Sequence, residues 1–295
     1  MSTTRGELDL SVEGGRIAGR YAAPDSPTGA PIVVAIHGAG HTAAYFDTEA
    51  VSLPDTGAEL GLTTVILDRP GYGQSSPPAG GDFGFEAIAK TMATAIAEVV
   101  AQLDQSAPGV VLTGHSSGGA IATRLASLDA LPFELLGLSI VGVGPVLGPF
   151  GHNIEADLPQ EGFMDPPPAE LVRNFLFGPP WTYAEDAVLA LGAVGAGVPV
   201  SEPRQVNRFP DWLPEAAARI DVPVQCVMPM LDVVWPYSAE NLRRLTEAFT
   251  ASPYVEGLAL RAAGHAADHH LTGRGLHLRQ IAFALECAVR EPAVA

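Results

Sequence analysis

Two kinds of hydrophobic run alternate along the chain. Short, unbroken runs rich in β-branched residues recur at Ile32-Val33-Val34-Ala35-Ile36, Thr63-Thr64-Val65-Ile66-Leu67, Val110-Val111-Leu112 and residues 135–143. They return at Val222-Pro223-Val224-Gln225-Cys226-Val227-Met228 and over residues 254–260. Such runs, too short for a helix and lacking polar alternation, predict strands covered on both faces. Between them lie stretches with apolar residues every three or four positions. Phe85, Ile88, Met92, Ile96, Val99 and Leu103 form the clearest set and predict a helix with one apolar face, stopped by Pro108-Gly109. Further helices are expected directly after Gly119, over 239–249 and over 271–289. Near the start, residues 7–12 and 16–21 alternate polar and apolar around Gly14-Gly15, which predicts an edge hairpin. Strands alternating with helices predict an α/β fold with a mostly parallel sheet and helices on both faces. In such sheets ligands bind beyond the C-terminal ends of the strands.

The pattern breaks between about residues 146 and 209. Prolines and glycines become frequent there (Pro149, Pro159, Pro166-Pro167-Pro168, Pro179-Pro180), with short helical pieces such as residues 170–177 between them. No run of the buried-strand type occurs, so the segment is expected to be an insertion over one end of the sheet, within a single domain spanning 1–295.

Composition narrows the function classes. The chain has 295 residues, 47% hydrophobic and 17% charged, as a globular domain requires. A net charge of −17 argues against nucleic acid and against anionic membrane surfaces, both of which need clustered Lys and Arg. A small molecule is the expected partner, and nothing in the pattern specifies an oligomeric state. Cys226 and Cys287 are too few for a disulfide framework and are expected to pack in the interior. The first residues carry no apolar signal-peptide core, and no apolar run approaches about 20 residues. A cytoplasmic, soluble protein is the expectation. No cofactor or metal is called for.

Candidate chemistry gathers at the predicted strand ends. Gly114-His115-Ser116-Ser117-Gly118-Gly119 sits between a strand and a helix, the context in which Gly-x-Ser-x-Gly makes a nucleophile elbow. The serine occupies a strained backbone, and the turn brings the residues two before and two after it together, which suits Gly114 and Gly118. Ser116 is therefore the candidate nucleophile. A serine hydroxyl needs a base, and the base needs an orienting acid. Of eight histidines, His265 directly follows the last strand, whereas His269, His270 and His277 fall where a helix is expected to carry them away. Asp232 is the only acid in the loop after residues 222–228; Asp221 precedes that strand, and Asp68, before Arg69-Pro70-Gly71, suggests a structural turn. The strand after the elbow ends at Gly144 with no carboxylate. Two N–H donors are expected to face the developing oxyanion: Ser117, and Ala39 or alternatively Gly40 in the glycine-rich loop after Ile36.

These pieces, in this order, resemble the α/β-hydrolase superfamily over nearly the whole chain: His37-Gly38, Asp68-Arg69-Pro70-Gly71-Tyr72-Gly73-Gln74-Ser75, the elbow, Asp232 before Val233-Val234-Trp235-Pro236, and Gly264-His265. The resemblance implies an eight-stranded sheet and a helical cap after the sixth strand, where residues 146–209 fall. It implies that His37-Gly38 introduces the oxyanion loop and that His115 packs. One departure stands out: the family's acid loop commonly has a glycine two or three residues before the acid, and here the sequence is Pro229-Met230-Leu231. A serine at the elbow argues against the haloalkane dehalogenases and epoxide hydrolases of this fold, which use aspartate. The expected activity is hydrolysis of an ester, thioester or lactone of an apolar molecule. A lyase, acyl-transfer, cyclisation or perhydrolase reaction is the alternative for the same residues, and a slow or non-catalytic ligand receptor the other. Aromatics of the insertion, Phe150, Phe163, Phe175, Phe177, Trp181 and Tyr183, together with Met164, supply apolar candidates for the substrate pocket. Phe175, Phe177, Trp181 and Tyr183 are the expected substrate contacts.

Overall fold

In the computed structural model, which describes residues 2–26, 28–103, 106–149, 158–166 and 168–289, eight strands form one sheet. They are β1 (Thr3–Val12), β2 (Gly15–Pro24), β3 (Ile32–Ile36), β4 (Thr64–Leu67), β5 (Val110–His115), β6 (Leu135–Val141), β9 (Val224–Pro229) and β10 (Val255–Leu260). A two-residue ladder of β7 (Phe163–Met164) with β8 (Val198–Pro199) stands apart. The sheet order is β1-β2-β4-β3-β5-β6-β9-β10. The hairpin β1–β2 pairs antiparallel to β4, and the six strands from β4 to β10 are parallel. All six therefore point their C-terminal ends to one edge.

Each buried run divides its side chains between two layers, because successive residues of a strand face opposite sides. Ile32, Val34 and Ile36 join one core with Leu112, Leu138, Cys226 and the apolar face of the helix Phe85–Leu103. Val33 and Ala35 join the other, with Leu53, Ile66, Val111 and the closing helix Gly273–Cys287 through Ile281 and Phe283. Burying each such aliphatic side chain contributes roughly 1.5–3 kcal/mol. Cys226 is buried and Cys287 partly so, and both thiols are free. Among the described residues, no helix is long and apolar enough to cross a membrane.

Three local differences from the sequence pattern have physical reasons. The sixth strand stops at Val141 because Gly142 turns with φ 64°. The helix Leu53–Glu59, hidden by Pro54 and Gly57, is capped by Ser52 Oγ accepting from Asp55 N–H and held by the burial of Leu53. Residues 267–269 form a tight 3-10 turn, so the closing helix starts only at Gly273, and His269 and His270 stay beneath the strand ends.

Between β6 and β9 the chain makes short helical pieces: residues 169–171, a π-helical turn Val172–Phe177, Glu185–Ala193, Ser201–Asn207 and Phe209–Ala217. Phe150 lies outside the described residues. The inserted segment is tied to the loop after β3 by backbone bonds from Ala196 N–H to Gly40 C=O (2.8 Å) and from Thr42 N–H to Val194 C=O (3.2 Å). It is tied to the loop after β10 by Ala266 N–H to Leu176 C=O (2.7 Å).

Candidate active site

The elbow is strained where the sequence suggested. Ser116 has φ 53° and ψ −124°, and it and Ala262 are the non-glycine residues at positive φ among those described. Such a conformation costs on the order of 1–3 kcal/mol and persists only where its surroundings enforce it. Here Ser116 N–H donates to Val141 C=O (2.8 Å), while Ser116 C=O accepts from Ala120 N–H (3.1 Å). A Cβ on Gly114 would stand 2.5 Å from Gly118 O, and one on Gly118 would stand 2.0 Å from Ile36 O. Both glycines are therefore steric requirements of a helix seated against two strand ends.

Ser116 Oγ lies 2.9 Å from His265 Nε2, and His265 Nδ1 lies 2.8 Å from Asp232 Oδ2. The carboxylate only accepts, so Nδ1 carries the proton and Nε2 is left to accept from the serine. The other Asp232 oxygen accepts from Val234 N–H (2.7 Å) and Trp235 N–H (3.0 Å). The acid loop needs no glycine before Asp232, because none of residues 229–231 has a positive φ. It is held instead to the loop after β10 by Met230 N–H to Leu260 C=O and Leu231 N–H to Ala263 C=O, both 2.9 Å. Those bonds fix the acid relative to the histidine.

Ser117 opens the elbow helix (Ser117–Ala126), where the first N–H groups have no acceptor within the helix. Ala39, Gly40 and Ser117 line one cavity together with Ser116 and His265. Gly38 makes the approach possible: a Cβ there would stand 3.1 Å from Ser116 Cβ. The cavity holds about 320 Å³. Leu147, Leu171, Leu176, Val198, Val206 and Val234 give it an aliphatic wall, and Met164 and Trp235 add to it.

The four expected aromatic contacts are elsewhere. Phe177 is fully buried in the core, its ring against Tyr183 (4.7 Å) and His270 (5.4 Å). Tyr183 is buried beside it, Trp181 is 67% exposed on the outside, and Phe175 is not among the lining residues. What Phe177 brings to the site is its backbone: its carbonyl packs where a Cβ on Gly264 would stand 2.3 Å away. Phe177 and Tyr183 join the core layer that holds Val33, Ile66, Val111 and Phe283, and aliphatic side chains of the same segment face the cavity.

His115 packs, as the resemblance implies, and the groups around it carry no sequence signal for their roles. His115 Nε2–H donates to His265 C=O (2.7 Å), and its ring stacks on Tyr45 at 4.6 Å. Tyr45 in turn donates to Asp268 Oδ2 (2.9 Å), whose other oxygen accepts from His277 Nε2–H (2.9 Å). Burial brings His115, His41 and His269 down to about 4, so their rings are neutral near pH 7. Burial alone would raise the Asp268 carboxyl, but the His277 hydrogen bond and charge outweigh it and bring it to about 2. Arg69, after β4, is fully buried and pairs with Glu202 of the insertion at 2.8 Å. Burial opposes the guanidinium's charge; Glu202 and Tyr72 together more than offset it. Tyr72 donates to the same carboxylate at 2.5 Å. Among the described residues no group of three or more His, Cys, Asp or Glu side chains converges as a metal site requires.

Known proteins share this architecture. A soluble variant of monoglyceride lipase from Saccharomyces cerevisiae aligns over 99% of this chain and 97% of its own, with a TM-score of 0.72 and 14% identity. The 2-hydroxy-6-oxo-6-phenylhexa-2,4-dienoate hydrolase of Rhodococcus sp. strain RHA1 aligns over 94% of this chain and 100% of its own, with a TM-score of 0.65 and 20% identity. At these identities the likeness is one of fold. In sequence, protein phosphatase methylesterase 1 of Bos taurus is 32% identical over 116 residues. That match spans 38% of this chain and 28% of the methylesterase. The model of the Alpha/beta hydrolase family matches residues 33–276, most of the chain, and the protein belongs to that family.

Proposed function

We propose that the protein is a serine hydrolase that cleaves a carboxylic ester, thioester or lactone of a largely apolar small molecule through an acyl-enzyme. One observation carries the reading: the Ser116–His265–Asp232 hydrogen-bonded line, at 2.9 and 2.8 Å, opens on an aliphatic cavity. Ester hydrolysis in the partly matching methylesterase and in the structurally similar lipase supports the same class.

In this reading Ser116 Oγ attacks the substrate carbonyl carbon while His265 Nε2 takes the hydroxyl proton. Asp232 keeps Nδ1–H in place and stabilises the imidazolium that forms. The carbonyl oxygen, now an oxyanion, accepts from Ser117 N–H and Ala39 N–H, donors that by mutational analogy each lower the barrier by about 3–4 kcal/mol. His265 returns the proton to the leaving alkoxide or thiolate. It then takes a proton from the water that attacks the acyl carbon and, as the acyl–Oγ bond breaks and the acid leaves, returns that proton to Ser116 Oγ. The cavity's aliphatic wall favours an uncharged acyl or alcohol group, whose burial yields roughly 25 cal/mol per Å². Among the described lining residues there is no Lys or Arg to recognise a carboxylate or phosphate.

The test is a panel of nitrophenyl esters, aryl thioesters and lactones of increasing chain length. Turnover of uncharged members, with an initial burst of one equivalent of nitrophenol and loss of activity in Ser116→Ala, is the expected result. Absence of turnover across the whole panel contradicts the hydrolase reading and favours a lyase, transfer or receptor role.

A further inference from the structure

The expected oxyanion donor Ala39 N–H belongs to the same peptide unit as Gly38 C=O. In a trans peptide the two point in opposite directions. Whatever holds Gly38 C=O from behind therefore aims Ala39 N–H. Two groups hold it: Arg69 Nη2 donates at 3.0 Å and His37 Nδ1 at 2.9 Å. His37 is locked in turn, because its Nε2 accepts from Arg69 N–H at 3.1 Å.

Arg69 Nη2 also donates to Glu202 Oε1 at 2.8 Å, and the guanidinium lies over the Tyr72 ring at 4.4 Å. Its Nε and Nη1 have no partner among the described residues, and the side chain is completely buried. Glu202 is thus the anion that makes a buried guanidinium tolerable at this place. Yet it comes from Ser201–Asn207, a helix of the inserted segment that also sends Pro203, Val206 and Asn207 to the cavity wall. The same segment also holds the Gly40–His41 peptide of this loop, through Ala196 N–H to Gly40 C=O.

We infer that Glu202 is a positioning residue for the oxyanion hole: by holding Arg69 against Gly38 C=O, it lets the inserted segment set the direction of Ala39 N–H. This rests on the acyl-enzyme reading above. The insertion, on this account, contributes to reaction rate as well as to substrate fit. Donation to a peptide carbonyl also polarises that peptide's N–H, so the contact strengthens the donor as it orients it.

The test measures how fast a fluorophosphonate reacts with Ser116, because the phosphoryl oxygen draws on the same hole. Two variants are compared with the unaltered protein. Glu202→Gln removes the charge and keeps the shape. The paired Arg69→Met/Glu202→Leu removes the guanidinium from Gly38 and replaces a buried ion pair by apolar packing, which proteins often tolerate. Folding is checked by circular dichroism and thermal midpoint; should Glu202→Gln fail to fold, the paired variant decides. Expected is labelling slower by about tenfold to a hundredfold, with KM for an uncharged ester changed by less than about twofold. Labelling of the folded paired variant at the unaltered rate overturns the inference, as does a loss confined to KM. If the unaltered protein itself is not labelled at Ser116, the hydrolase reading fails first and the inference falls with it.

Discussion

Two buried aspartate–histidine pairs lie close together in this protein, and chemically they look alike. Asp232 meets His265 at 2.8 Å and Asp268 meets His277 at 2.9 Å. Both are nearly inaccessible to solvent. They differ in what faces the far ring nitrogen. His265 Nε2 reaches Ser116 Oγ at the wall of a cavity, whereas His277 Nδ1 has no partner among the described residues and points into closed core. The second oxygen also differs: that of Asp232 accepts from backbone N–H groups, and that of Asp268 accepts from Tyr45, which supports His115 behind the catalytic candidate. An aspartate–histidine pair thus fixes which ring nitrogen faces the acid. Its location decides whether it performs acid–base chemistry or holds a scaffold together.

The largest expected contrast comes from cutting each pair in the same way. Asp232→Asn should lower kcat for an uncharged ester by about 10⁴, as loss of the correct tautomer does in serine hydrolases. Asp268→Asn should instead cost about 3–5 kcal/mol of stability, the range for breaking a buried pair, and leave kcat within about fivefold at temperatures where the variant is folded. Thermal melts and steady-state kinetics on both variants check this. A folded Asp268→Asn protein as inactive as Asp232→Asn would erase the distinction.

A smaller effect separates the scaffold by pH. His41, His115, His269 and His270 are brought down to about 4 chiefly by burial, from an ordinary value near 6.5. The unfolded chain therefore binds more protons than the folded one between those limits. Stability is complete above about pH 6.5 and is lost as pH falls toward 4. Asp268, lowered to about 2, adds a second loss only below about pH 4, worth roughly 2–3 kcal/mol in all. The thermal midpoint should be level above about pH 7 and decline from about pH 6.5. A level profile down to pH 4.5 would contradict the neutral, buried state of these rings.

The smallest effects sharpen the boundary of the cavity. Val206→Trp, placed in the aliphatic wall, should raise KM for a long-chain ester about tenfold by filling space, while Trp181→Ala should change it by less than about twofold. Equal effects would mean that substrate also uses the outer face of the insertion.

This contrast between core and insertion also marks what could be read from the sequence. Parallel strands place their C-terminal ends on one edge whatever the side chains, so chain order alone directed attention to Ser116, Asp232 and His265. The elbow glycines were legible for a similar reason, since a strand-to-helix turn leaves no room for a Cβ. The insertion follows no such rule. Its pieces are a few residues long, one is a π-helical turn, and their packing depends on what lies beneath them. Residue type alone points to Phe177 and Tyr183, which pack into the sheet's second core layer, whereas Leu176 and Val206 face the cavity. The Arg69–Glu202 pair joins residues 133 apart in sequence, and no periodicity connects them. His269 and His270, set by the 3-10 turn Ala267–His269, are buried against Tyr45, Gly264 and Thr182, and neither lines the cavity.

The central claim is that Ser116 is a nucleophile activated by His265. It is tested most directly by treating the protein with a fluorophosphonate and mapping the modified peptide by mass spectrometry. The account predicts one adduct per chain, on Ser116, formed at neutral pH, absent in Ser116→Ala and strongly slowed in His265→Ala. An adduct that persists in Ser116→Ala, or rapid labelling of Ser116 without His265, would contradict it.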